Sequence, residues 1–335
     1  MYFEAKSSRI MIRALLSVFP LLISTGSLIA GESSVKESAL FRALTGANPA
    51  RLIAYAPAKL DPRQEANQRA LSTSSIRADL EAIRPAFDGL VLYGYNEGNT
   101  PRILALAKSL KFRVVILGIW DPKSAAEIDG VAESARLYEK DVALGVLVGN
   151  EGIQFGRYEP EDLTLAEIRL RAKLPKGIPI GTSEPLGQYK KKDALVRKFG
   201  DFLAPNIHPV FDRPDLKPVD AAAWARLEAL ALAKETKMPV ILKETGVPHA
   251  GKSQFTLDAQ KEFWAAYVKP GIVLKLKDDG VWIFYGVVFE AFDLPWKSEA
   301  SGLPIEKSWG LYSNDRQPYP AVSVWKTIPR DFSTR

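Results

Sequence analysis

The sequence predicts a (β/α)8 barrel, preceded by an N-terminal export signal or membrane anchor. Three observations carry this. Short β-branched and aromatic runs alternate with helical patterns from residue 51 onward, and such alternation implies a parallel sheet. Eight strand–helix units in about 280 residues match such a barrel in count and length. The competing doubly wound sheet announces itself by a glycine-rich turn after its first strand, and none follows the first strand here.

The elements follow in order. Arg51–Ala56 reads as strand one, and Ser74 or Ser75 caps a helix with Ile76, Leu80 and Ile83 on one face. Gly89–Tyr95 is strand two. Ile103, Leu106, Ala107 and Leu110 then recur at helical spacing. Phe112–Trp120 is strand three, with a helix over Ser124–Glu139. Val142–Asn150 is strand four, followed by a longer loop and a helix over Thr164–Lys173. Ile178–Ser183 is strand five, with a short helix near Asp193–Phe199. Phe202–Ile207 is strand six, and the alanine-rich Asp220–Thr236 is its helix. Val240–Thr245 is strand seven, with a helix over Thr256–Lys269, and Val281–Phe289 is strand eight.

Residues 1–30 stand apart. Lys6, Arg9 and Arg13 precede an apolar run from Ala14 to Ala30, with small residues near its end. This is the layout of a secretory signal. An uncleaved anchor is the alternative, because roughly 17 residues is the lower limit of a membrane span. Either way the body is expected outside the cytoplasm, periplasmic or extracellular. Residues 31–50 read as a linker and 51–335 as one domain, expected to act as a monomer.

Composition removes several chemistries. The 335 residues contain no cysteine and two histidines, His208 and His249. Disulfides, cysteine-based metal sites and multi-histidine centres are therefore excluded. No cofactor and no metal is expected. Of the net charge of +6, residues 1–30 account for +2. Lys190-Lys191-Lys192 is the dense basic spot, but no aromatics are interleaved with it. It reads as a solvated face, and a nucleic-acid partner is not expected.

Chemistry in such a barrel sits at the C-terminal ends of the strands. The predicted strands end in Tyr93-Gly94-Tyr95-Asn96-Glu97, Trp120-Asp121, Asn150-Glu151, Ser183-Glu184, Asn206-Ile207-His208 and Lys243-Glu244. The eighth runs on through Glu290, Phe292, Asp293 and Lys297. The set is rich in carboxylates, amides and aromatics. Glycosidic cleavage uses a pair of carboxyls, one to protonate the leaving oxygen and one to attack the anomeric carbon or activate water. Strands four and seven lie opposite each other in an eight-stranded barrel, so Glu151 and Glu244 face each other across its mouth. A lone Asn-Glu is ordinarily a surface turn. Here a buried strand stops at that dipeptide, and a second Glu stands in the matching place.

These residues resemble a known family. "VGNE" (Val148–Glu151), "NIHPVF" (Asn206–Phe211), "ETG-P" (Glu244–Pro248) and "FEAFDLPWK" (Phe289–Lys297) are similar, in this order, to signatures of glycoside hydrolase family 17. "WGLY" (Trp309–Tyr312) looks like the closing segment of its bacterial branch. The resemblance runs through most of the chain after residue 50. It implies the (β/α)8 fold and activity on β-1,3-glucan, an oligosaccharide or polysaccharide substrate. It assigns Glu151 as general acid/base, Glu244 as nucleophile and Asn150 as partner of the sugar 2-hydroxyl. Three positions depart from the family pattern: Val247 replaces the tryptophan of "ETGWP", His208 the aromatic of "NIYP", and Leu294 an acid.

The other candidate substrate contacts are Tyr93, Trp120, Glu184, His208, Phe292, Asp293 and Lys297. Tyr93 and Trp120 either stack on sugars or pack in the core. Glu184 and Asp293 either bind hydroxyls or form structural ion pairs. His208 at a strand end reads more often as a hydrogen-bonded structural residue than as an acid or base, and His249 as a loop residue without a catalytic role. The expectation is a retaining β-1,3-glucan hydrolase. A glucanosyltransferase, or a barrel that binds glucan without cutting it, are the alternatives.

Overall fold

The computed structural model describes residues 38–277 and 280–328. The expected export segment, residues 1–30, lies outside the described residues. No helix among the described residues is long and apolar enough to cross a membrane.

Ten strands form one sheet: β1 Leu52–Ala54, β2 Gly89–Val91, β3 Val114–Ile119, β4 Ala143–Asn150, β5 Ile180–Ser183, β6 Phe202–Leu203, β7 Val240–Ile241, β8 Val273–Lys275, β9 Trp282–Phe284 and β10 Val287–Val288. From β1 to β7 each strand pairs in parallel with the next. β9 continues the series beside β7, and β10 pairs with β1, which closes the ring. The fold is the expected α/β barrel.

The eighth barrel strand differs from its expected form. Val281–Phe289 is split where it changes partner. Phe284 O accepts from Leu242 N, just beyond β7, at 3.0 Å, while Gly286 O accepts from Leu52 N at 2.7 Å. One half therefore serves β7 and the other half serves β1. β8 lies outside the ring as an antiparallel hairpin arm on β9.

The stretch expected as a linker also differs. Within it, Ala39–Thr45 is a helix, N-capped by Ser38, whose hydroxyl accepts from Phe41 N at 3.1 Å. Leu40, Phe41 and Leu44 are buried. Phe41 packs edge-on against Trp282 at 4.9 Å and Phe202 at 6.1 Å, ring centre to ring centre. These partners begin strands, so the helix covers the N-terminal floor of the barrel. Three large apolar side chains in seven residues explain why it docks.

The surrounding helices lie close to expectation. Thr73–Ile83 is capped by Ser72 rather than by Ser74 or Ser75, because the Ser72 hydroxyl receives the Ser75 N–H. Ser124 and Thr256 cap Ala125–Tyr138 and Leu257–Val268 in the same way. The helix after β4 starts earlier than expected, at Pro160, with a capping box between Glu159 and Asp162. Near Asp193–Phe199 there is only a 3-10 turn, Leu195–Lys198.

Candidate active site

β4 delivers Asn150, and Glu151 just beyond it, through an irregularity. Its register with β5 shifts between Leu147 and Asn150, and Gly149 takes a left-handed φ of 76°. A Cβ on Gly149 would sit 2.2 Å from the Tyr158 hydroxyl, and one on Gly152 1.9 Å from the Tyr158 ring. Only glycine fits at either place. Between them Glu151 itself adopts φ 56°, a conformation that costs a non-glycine residue energy and gathers at functional sites. Irregular strand ends of this kind re-aim side chains beside active sites.

What holds Glu151 there is the next turn. Tyr158 accepts the Gly152 N–H and donates to Glu184 Oε1, both at 3.0 Å. Glu184 also accepts from Ile153 N at 3.0 Å and Gln154 N at 3.3 Å. Glu184 is fully buried and committed to this loop. It is thus a support of the β4 loop, a correction to its expected role as a sugar contact.

The remaining groups converge from β5, β6 and β7. Ser183 donates its hydroxyl to Asn206 Oδ1 at 2.9 Å. That fixes the Asn206 amide with its Nδ2 toward Glu151 Oε1 at 2.9 Å. Asn206 also sits in parallel register beside Glu244, and Ile207 N donates to Glu244 O at 2.8 Å. Glu244 Oε1 receives the Lys243 ammonium at 2.6 Å, and Oε2 faces His208 Nε2 at 3.2 Å. Lys243 Nζ reaches Asn150 Oδ1 as well. Asn150, Glu151, Asn206, His208, Lys243 and Glu244 therefore form one connected network.

The two glutamates end in opposite electrostatic states. Burial, then the charge of Glu244, push the Glu151 carboxyl above its ordinary range, and the Asn206 hydrogen bond only partly offsets this. Burial would raise Glu244 too. Lys243 and His208 outweigh it and hold Glu244 down at about 2. His208 is buried, which opposes its charged form, yet its hydrogen bond and charge pairing with Glu244 lift it above its usual value.

Aromatic and cationic groups line the rest of the mouth. Trp120 is 43% exposed at the end of β3, with the Arg157 guanidinium 4.0 Å above its ring. Arg157 also donates to Asn150 O. Half-buried Tyr93 lies under Lys243 Nζ at 4.5 Å and Lys297 Nζ at 6.0 Å. Phe289 and Trp309 pack edge-on against His208, and half-exposed Phe211 packs beside them. Lys297, a candidate contact, clamps Glu290 with two bonds of 2.7 Å. Burial pushes the Glu290 carboxyl up to about 7 against the pull of Lys297. Val247 lines a groove of about 350 Å³ with Pro209, Val210, Leu216 and Phe255.

Two further expectations need correction. Phe292 is 1% exposed and packs between Tyr55 and Tyr312. It belongs to the core, because its side of the chain beyond β10 faces inward. Asp293 accepts from Tyr319 at 2.7 Å and Gly310 N at 3.1 Å and meets His249 Nε2 at 3.0 Å. It ties the chain beyond β10 to the C-terminal loops instead of facing the mouth. Sequence reasoning did not select Asn206, Lys243, Arg157 or Glu290 as site residues. A usable signal was present for Lys243, a lysine directly after the apolar Val240–Leu242 and directly before Glu244. Among the described residues no three His, Asp or Glu side chains gather closely enough to hold a metal ion.

The chain as a whole is similar to known proteins. The glucan 1,3-beta-glucosidase of Arthroderma benhamiae is 30% identical over 242 residues, covering 66% of this chain and 75% of that one. That of Saccharomyces cerevisiae is 24% identical over 278 residues, covering 74% and 85%. The glycoside hydrolase family 17 beta-1,3-glucanosyltransferase of Rhizomucor miehei shares the fold, with a TM-score of 0.59 at 19% identity over 82% of this chain and 97% of that one. Residues 53–310 match the BtgE/BtgC glycoside hydrolase domain. With the family 17 motifs, the barrel and the relatives in agreement, the chain belongs to the BtgE/BtgC glycoside hydrolase domain family and is a glycosidase.

Proposed function

We propose that the protein cleaves β-1,3-glucan with retention of configuration, using Glu151 as acid/base and Glu244 as nucleophile. The observation that carries this reading is the contrast in partners of the two carboxyls, a neutral amide from Asn206 on Glu151 and an ammonium and an imidazole, from Lys243 and His208, on Glu244. With its pKa raised, Glu151 keeps its proton to higher pH than Glu244, which is the division of labour that double displacement requires. The substrate class follows from the names of the glucosidase and glucanosyltransferase relatives.

In the first step Glu151 gives its proton to the glycosidic oxygen. The bond from C1 to that oxygen breaks, its electron pair leaves with the departing sugar, and Glu244 forms a bond to C1. In the second step a hydroxyl attacks C1 and passes its proton to Glu151. The C1–Glu244 bond breaks and returns its pair to the carboxylate. Asn150 faces the sugar 2-hydroxyl. Water as the attacking hydroxyl gives hydrolysis, which we favour. A sugar hydroxyl gives transfer, as the Rhizomucor miehei relative is named for. The basic and apolar start of the chain supports action outside the cytoplasm, and we read the protein as acting as a monomer.

Two measurements test the reading. Proton NMR of the first product from laminari-oligosaccharide must show the β-anomer, and an α-anomer would refute it. Chromatography of the same digest separates the two outcomes, because transfer makes products longer than the substrate.

A further inference from the structure

We propose that Lys243 is a positioning residue for this reaction: it fixes the Asn150 amide and stabilises Glu244 as the group that leaves C1. The proposal rests on the roles assigned to Glu151 and Glu244 above.

The geometry is specific. Lys243 is 1% exposed, at the end of an apolar strand. Its Nζ meets Asn150 Oδ1 and Glu244 Oε1 and lies 4.5 Å over the Tyr93 ring. A buried lysine survives only where its charge is paired and its donors are used. Here the partners are the two residues nearest the chemistry.

The first consequence concerns Asn150. An ammonium donates and cannot accept. Asn150 must therefore turn Oδ1 toward Lys243, and Asn206 Nδ2 lies 3.4 Å from the same oxygen. Asn150 Nδ2 makes no hydrogen bond among the described residues and is left as a donor. Without Lys243 the amide has less reason to choose this orientation, and a flipped amide would present an acceptor instead.

The second consequence concerns the covalent intermediate. When the attacking hydroxyl bonds to C1 and yields its proton to Glu151, the C1–Glu244 bond breaks and Glu244 regains a full negative charge. A cation 2.6 Å away stabilises that charge as it develops, so the intermediate breaks down faster. The charged and titratable groups around Glu244 are Lys243, His208, Glu151, Tyr93 and Glu290. Of these, Lys243 is the cation that touches both Asn150 and Glu244.

The test compares the unmodified enzyme with Lys243→Gln and Lys243→Met, using a dinitrophenyl β-laminaribioside. Gln keeps a donor for Asn150 without the charge, and Met keeps neither. In the unmodified enzyme the acid limb of kcat/KM should lie below about pH 4. Both variants should move it up by about 1–2 pH units and show a burst of dinitrophenol, because deglycosylation slows roughly 10- to 100-fold. Lys243→Met should lose about tenfold more kcat/KM than Lys243→Gln. An acid limb above about pH 4 in the unmodified enzyme overturns the proposal even if neither variant folds. So does an unmoved limb without a burst in a variant with a cooperative melting transition. Glu244→Gly separates the two readings. If it stays active, the assigned mechanism falls. If it is inactive and rescued by azide while the Lys243 variants behave normally, only the role of Lys243 falls.

Discussion

The ends of β4 and β7 carry the same acid at the same rim of one barrel, yet they prepare it in opposite ways. At β4, Glu151 stands on a left-handed residue in a turn held by backbone N–H groups, Tyr158 and Glu184. Its own carboxylate receives one neutral amide, from Asn206. At β7, Glu244 follows the strand without a turn and is gripped by an ammonium and an imidazole. Burial raises the pKa of both, so burial alone does not decide which is the acid. The charge of the partners decides, because cations reverse a desolvation penalty that a neutral amide only trims.

The largest expected effect breaks the β7 side. Glu244→Gly should reduce kcat on glucan by roughly 10⁴-fold or more. Azide should restore turnover on an activated substrate, and the glycosyl azide should have inverted configuration by NMR. The β4 side should answer differently. Glu151→Gln should lose about 10²–10⁴-fold on natural glucan, yet far less on an aryl glycoside whose leaving group needs no proton. Equal losses on both substrates would end the distinction between the two acids.

The pH profile sharpens the comparison. Activity needs Glu244 ionised, which begins above about 2, and Glu151 protonated, which ends above its raised pKa. A bell-shaped kcat/KM curve follows. The Asn206 bond pulls the Glu151 pKa down, so Asn206→Leu should shift the basic limb to higher pH while lowering kcat/KM by about tenfold. A shift to lower pH would contradict the geometry. The smallest effect is on the β4 turn. In Gly152→Ala the added Cβ meets the Tyr158 ring. Calorimetry should find about 1–3 kcal/mol lost.

What could be read in the sequence followed the length and contrast of the signal. β3 and β4 are long apolar runs, and both were placed within two residues. The expected Phe202–Ile207 and Val240–Thr245 shrink to two-residue ladders, and beyond them the pairing continues only as isolated parallel bridges through Asn206 to Pro185 and Glu244. The helix Ala39–Thr45 escaped notice because seven residues give too little periodicity. Within the site, Glu151, Glu244 and Asn150 were legible as polar residues ending buried strands. Glu184 and Asp293 obeyed the same rule and are structural, as is the aromatic Phe292 beside Asp293, since strand-end position does not say which way a side chain turns. Lys243 was passed over for the converse reason. A lysine after an apolar run and before an acid is a signal only once its buried partners are considered.

The short helix under the floor bears on how this chain can be divided. Anyone trimming the protein to its catalytic barrel would be tempted to cut at the first strand, near Arg51. That cut would remove Leu40, Phe41 and Leu44 from a sealed interface, at about 1.5–3 kcal/mol each. It would also leave Gly145 and Trp282 facing water where Leu40 and Phe41 now sit. The smallest self-contained unit therefore starts no later than Ser38. A library of truncations scored by solubility should fall off sharply between a start at residue 38 and a start at residue 47.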